Sequence, residues 1–128
     1  MANPNIVGVV SIYAGNAAWA LTATVTTTLL TVSADVIVKV NSIIATNTHA
    51  TAATALTIDV NGIGTTVTGV TGTSLATVAK IASTVNIPAD DILVVIDKPI
   101  YLMENDILRG GASSACDLFI SYEVINDA

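Results

Sequence analysis

Few of the side chains that carry chemistry occur in this sequence: one cysteine, Cys116, and one histidine, His49, in 128 residues. A lone thiol can close no internal disulfide and cannot build a zinc site, and it fits folding in a reducing cytoplasm. Cys116 is expected as a small apolar filler near a turn, because a nucleophilic thiol needs an activating base beside it. His49 sits in a small polar stretch, Asn47–Ala53, with no nucleophile or carboxylate placed for it by any motif. It is expected as a solvated loop residue. Positive charge is equally scarce. Lys39, Lys80, Lys98 and Arg109 are scattered along the chain, and the net charge is −6. Phosphate neutralisation dominates nucleic-acid affinity, so the chain is expected to bind neither nucleic acid nor an anionic membrane surface. Charged residues make up 11% of the chain and apolar ones 52%, against about 25% charged in an average soluble domain. Part of the surface is therefore expected to meet other protein.

Met1–Ala34 carries no charge at all. A signal peptide wants a positive start, and the chain opens Met1-Ala2-Asn3-Pro4-Asn5. A membrane helix wants about 20 predominantly apolar residues, but Asn16, Thr22, Thr24 and Thr26 to Thr28 interrupt the stretch. Aromatics, at 4%, are too few for the girdles of an outer-membrane barrel. A soluble chain is expected.

What is abundant is β-prone. The threonine-rich run Ala20–Val32 favours strand over helix. Val36, Val38 and Val40 share one face of a run extending to Ile44. Leu56-Thr57-Ile58-Asp59-Val60 is the cleanest alternation, with Leu56, Ile58 and Val60 inward and Thr57 and Asp59 outward. Asn61-Gly62 signals a hairpin, with Ile63–Val70 as the returning strand. Ala79, Ile81, Ser83, Val85 and Ile87 share a parity. Ile92–Ile96 is continuously apolar and is expected to be buried on both faces. Ile107-Leu108-Arg109 is short and ends at Gly110-Gly111, and Leu118, Ile120, Tyr122 and Val124 share a face of the last strand. Gly15-Asn16 and Pro88-Ala89-Asp90-Asp91 read as turns. No segment of helical length shows an amphipathic pattern. The expectation is all-β: one domain over residues 1–128, a jelly-roll-like β-sandwich, with residues 1–14 as an N-terminal arm or edge strand.

No catalytic or cofactor constellation appears, and the chain is read as a non-enzyme. The glycines form neither a dinucleotide nor a phosphate loop. Asp90, Asp91, Glu104 and Asp106 are oxygen-rich turns without calcium-loop spacing, so no metal is expected. The candidate interface residues are apolar or aromatic, in the charge-free first third: Ile6, Val7, Val9, Tyr13 and Trp19.

Two stretches carry a resemblance. Asn3-Pro4-Asn5-Ile6-Val7 with Ser11-Ile12-Tyr13 opens the chain. Later come Ala82 to Asp90, Ile100-Tyr101-Leu102, Asp106 to Ser113 and Ile120-Ser121-Tyr122-Glu123. Together they resemble small virion proteins of marine and cyanobacterial tailed phages, over about half of the chain; the middle, Asp59–Ala79, departs from it. The resemblance implies a virion structural protein of a bacteriophage assembled in the host cytoplasm. Head decoration (cement) is the first expectation, and a neck, tail or fibre component the alternative. It implies a homo-oligomer, a trimer by analogy, partnered by the major capsid protein or other virion proteins. From a different class, a carbohydrate-binding β-sandwich stays open.

Overall fold

The computed structural model describes residues 11–21, 27–62 and 78–126. Nine strands run through them: β1 Ser11–Leu21, β2 Thr27–Thr31, β3 Val36–Asn47, β4 Thr54–Asn61, β5 Val78–Ile87, β6 Ile92–Ile96, β7 Ile100–Leu102, β8 Ile107–Ala112 and β9 Cys116–Asn126. No helix occurs among the described residues. One antiparallel sheet has the order β1-β9-β3-β6, with β7 also on β3, and the second has the order β2-β8-β4-β5. The pairs β1·β9, β2·β8, β3·β6/β7 and β4·β5 describe one long antiparallel ribbon wrapped over itself. That is the jelly-roll sandwich expected from the strand spacing. β6 and β7 act as one strand along the β3 edge, interrupted near Pro99, which has no N–H to give to a ladder.

The core lies between the sheets. Val38, Val40, Ile43 and Ala45 of β3 and Leu118 and Ile120 of β9 face Leu56, Ile58 and Val60 of β4 and Leu108 of β8. Burying branched aliphatic side chains at about 25 cal/mol per Å² is the main favourable term. Three turns use left-handed residues that tolerate it, Asp35 (φ 61°), Asp90 (φ 55°) and Asn105 (φ 66°). The Asn105 turn is tied to the Asp35 turn. Asn105 N–H donates to Val32 O at 2.8 Å, and Asp35 N–H donates to Glu104 Oε2 at 3.0 Å.

Several expectations are corrected. Gly15-Asn16 is no turn: β1 runs straight through it. A Cβ on Gly15 would come within 2.7 Å of the Tyr122 ring, so the glycine marks a close approach between β1 and β9. β8 likewise continues through Gly110-Gly111 to Ala112, and a Cβ on Gly110 would meet Ile58 Cδ1 at 2.9 Å. The parity in β5 breaks because Thr84 sits at φ 48° in a bulge. Its N–H donates to Thr57 Oγ1 at 3.1 Å. Leu56 pairs with Val85 but Ile58 with Ala82, so Ala82 takes the buried place. Asp59 does project to the outer side of its sheet, yet it is 1% exposed. Ile92–Ile96 is not buried on both faces. It is an edge strand with Ile92 58% and Val94 49% exposed. The strand predicted over Ile63–Val70 lies outside the described residues. Of the 1–14 segment, Ser11–Ala14 belong to β1 and pair with β9; residues 1–10 lie outside the described residues.

Candidate assembly interface

The two outer faces of the sandwich differ in chemistry. On the β2-β8-β4-β5 sheet, register aligns Thr28, Arg109, Asp59 and Lys80 in one row across four strands. Arg109 Nε and Nη2 donate to Asp59 Oδ1 and Oδ2 at 2.7 and 3.1 Å, and Lys80 Nζ lies 3.9 Å from Oδ2. This face covers its buried charge with its own cations.

On the β1-β9-β3-β6 sheet the outer row is Ala18–Phe119–Ile44–Val94, and the next is Ala20–Asp117–Thr46–Ile92. None of Phe119, Ile44, Val94 and Ile92 belongs to the core cluster or packs against it. Phe119 stays 44% exposed. Ala18, Ala20, Ile44, Thr46 and Phe119 border a shallow depression of about 420 Å³. Toward the other end, Ala14–Glu123–Lys39–Tyr101 forms a third row, with Tyr101 49% exposed. Beyond it the Ile37–Ile125 pair is already buried, and there the patch ends. A largely apolar sheet face of this kind is a candidate surface for contact with other protein.

Of the residues expected at an interface, Tyr13 is 60% exposed on the edge strand β1, and Trp19 packs half-buried against the core cluster. Ile6, Val7 and Val9 lie outside the described residues. The residues that form the face, Phe119, Ile44, Val94 and Ile92, were missed by sequence reasoning. Their strands read as core, and only the low charge content hinted at a second apolar surface.

The other singled-out residues take structural places. His49 Nδ1 accepts from Thr51 and Ala52 N–H at 3.2 and 3.1 Å, which fixes the tautomer with the proton on Nε2 and shapes the loop. Asp91 Oδ1 accepts from Ile92 N–H, and Asp90 supplies the left-handed turn residue. Among the described residues no three His, Cys, Asp or Glu side chains are grouped as a metal site. No helix among them is long and apolar enough to cross a membrane.

Asp106 accepts from Met103 N–H at 3.0 Å and borders an apolar depression with Val60, Ile81 and Leu102. Burial pushes its carboxyl above the ordinary value of 3.8, against the lowering effect of that hydrogen bond. A carboxyl raised in the fold stabilises most below its unfolded value, and that contribution is lost as pH rises through the folded value. Asp106→Asn keeps the acceptor and removes the charge. It is therefore expected to raise the melting temperature at pH 7, with the gain shrinking steadily toward pH 4. A gain that grows on acidification would contradict this account.

Burial, reinforced by Asp117, pushes the Cys116 thiol up, against a lowering backbone hydrogen bond from Thr46. The residue is 1% exposed. A thiol reagent is expected to react with it at the rate of opening and stoichiometrically once the chain is denatured. Rapid modification of the native protein would show that the β9 end is open.

The sequence matches no family model and no curated protein. Among solved structures, one described as Bacillus endospore appendages that form a family of disulfide-linked pili covers 92% of this chain and 88% of its own, at TM-score 0.50 and 12% identity. Two from infectious bursal disease virus, the VP2 subviral particle and the Gx strain, are 16% and 11% identical at TM-scores of 0.46 and 0.39. The chain spans 33% and 40% of those two chains. At such identities the pilus likeness speaks to the sandwich fold.

Proposed function

We propose that the chain is a non-enzymatic structural subunit of a phage virion, most specifically a head decoration protein, that assembles through the outer face of its β1-β9-β3-β6 sheet. The observation that carries the reading is the contrast between the two outer faces. One is closed by the Asp59 ion pairs, while the other presents Phe119, Ile44, Val94 and Ile92 to its surroundings. Burying such a face contributes about 25 cal/mol per Å² before association costs, and many weak contacts on one lattice add through effective concentration. The virion assignment rests on the sequence resemblance, closer in the second half, at Ala82–Asp90, Ile100–Leu102, Asp106–Ser113 and Ile120–Glu123. Trp19 turns its indole toward the core, which favours assembly over a sugar-binding platform.

A second reading is a subunit of a filament, a tail fibre or a pilus. The pilus structure favours it because each chain covers most of the other. Those pili are described as disulfide-linked; Cys116, the one cysteine here, is buried. Any filament of this chain would therefore hold together without covalent links through Cys116.

The test is microscopy of purified particles at side-chain resolution, with Phe119→Asp as the control variant. The chain is expected on the outside of a phage head, its Phe119 face covered, and the variant is expected to be lost from particles while melting normally. A chain found along a filament supports the second reading. A chain absent from every particle, or one that binds glycans through this face, overturns the proposal.

A further inference from the structure

The outer face of the β1-β9-β3-β6 sheet is complementary to itself, and from this we infer that two copies pack back to back about a two-fold axis running parallel to the strands, between β3 and β9. The inference rests on the structural-subunit reading and adds its partner: a second copy of this chain. Such an axis lays β3 of one copy over β9 of the other. The residues that β3 and β9 place side by side then decide whether the contact works.

Three cross-strand pairs answer this. Lys39 stands beside Glu123, Ile44 beside Phe119, and Thr46 beside Asp117. The two-fold places each member over its counterpart in the other copy. Lys39 meets the partner's Glu123 and Glu123 meets the partner's Lys39. Ile44 meets the partner's Phe119, and the Thr46 hydroxyl meets the partner's Asp117 carboxylate. Among the described residues neither Lys39 nor Glu123 closes an ion pair, since the salt bridges there are those on Asp59. Ser42 and Ser121 pair between the charged and apolar rows.

The flanking strands agree. The same axis lays β1 over the partner's β6 and β7. In these three rows the outer residues of β1 are small, Ala14, Ala18 and Ala20, with Asn16 in the Ser121 row between them. Those of β7 and β6 in the same rows are large, Tyr101, Val94 and Ile92. Small therefore faces large in these three rows. At about 4.8 Å between strands, β1 and β6 lie only about 7 Å from the axis. The ~30° angle of aligned sheet packing then shifts the outer rows by about one residue, within reach of Tyr101 and Ile92. An axis across the strands through the Ser42–Ser121 row at the middle of the face would set the apolar Phe119 row over the Lys39–Glu123 row and desolvate four charges against hydrocarbon, which is costly.

Four strands by about seven residues give roughly 450 Å² of projected face per copy. That lies toward the small end of specific interfaces, so the dimer is expected at micromolar rather than nanomolar strength.

Sedimentation of the full chain from about 1 to 100 µM tests it. The wild type is expected to dimerise across this range. Lys39→Glu sets Glu against Glu at both contacts, and Glu123→Lys sets Lys against Lys. Each single change is expected to weaken the dimer at least about a hundredfold. The double change within one chain, and an equimolar mixture of the two single variants, each restore opposite charges and are expected to recover it. Phe119→Asp is expected to leave a monomer with an unchanged β spectrum. A dimer that survives both Phe119→Asp and the single charge changes overturns the inference. So does a trimer, which would need a head-to-tail contact. A wild type that is monomeric at 100 µM yet enters particles overturns the two-fold while leaving the virion reading intact. A wild type that dimerises by these rules but enters no particle overturns only the virion reading.

Discussion

Arg109→Ala is expected to be the most destabilising charge deletion in the protein, by about 3–5 kcal/mol, read as a lower urea midpoint at unchanged slope. The reason lies on the other side of the pair. The Asp59 side chain is 2% exposed, while that of Arg109 is 26% exposed and that of Lys80 is 53% exposed. Removing the guanidinium strips two charge-assisted hydrogen bonds from a carboxylate that water cannot reach, leaving only a distant ammonium at 3.9 Å. Lys80→Ala removes a mostly solvated partner and is expected to change stability by less than about 1 kcal/mol. Replacing both partners, Asp59→Leu with Arg109→Met, removes the buried charge along with its counter-ion. It is expected to recover most of the loss. If Arg109→Ala falls within 1 kcal/mol of the wild type, the guanidinium is not what holds the Asp59 carboxylate.

Period-two alternation read correctly wherever a strand has no bulge facing the core. Leu56, Ile58 and Val60, and Leu118 and Ile120, all point inward as their parity demands. It failed at β5, where nothing in Ser83-Thr84 announces a left-handed threonine; the bulge answers Thr57 across the strand. It placed Asp59 on the correct side but gave no sign of its burial. The residue points outward as the pattern says, but its burial comes from Arg109, fifty residues away in sequence.

The assembly face was illegible for a related reason. A strand apolar on both sides reads the same whether its second side meets a second layer of its own fold or another molecule. Ile92–Ile96 fits either reading until β6 is seen at the sheet edge. The rows Ala18–Phe119–Ile44–Val94 and Ala14–Glu123–Lys39–Tyr101 each combine distant segments, so their complementarity exists only in the register. Composition alone could say that such a surface exists; it could not say where.

Asn47 is where one small side chain holds most of an end of the sandwich. It closes β3 and is 1% exposed. Its Nδ2 donates to Ala52 O at 2.8 Å, Ile87 O at 3.0 Å and Pro88 O at 3.1 Å, and its Oδ1 accepts from His49 N–H at 2.9 Å. The amide thus joins the loop after β3 to the turn between β5 and β6, a connection the sequence presented as an ordinary polar loop. Asn47→Ala leaves these groups without the partner, the Ile87 carbonyl in a buried place. It is expected to lose about 2–4 kcal/mol, or about 10 °C in melting temperature. Asn47→Asp separates hydrogen bonding from volume, because the side chain keeps its shape and its acceptor for His49. What it loses is the donor, and it sets a carboxylate against three carbonyl oxygens. The substitution is expected to be at least as harmful as alanine at pH 7. Burial and those oxygens raise the introduced carboxyl above its ordinary value, so the deficit narrows as pH falls and the protonated form can donate again. Thermal melts of both variants from pH 7 to pH 4 decide the matter. An Asn47→Asp protein as stable as the wild type at pH 7 would mean that the loop and the turn hold each other without the amide.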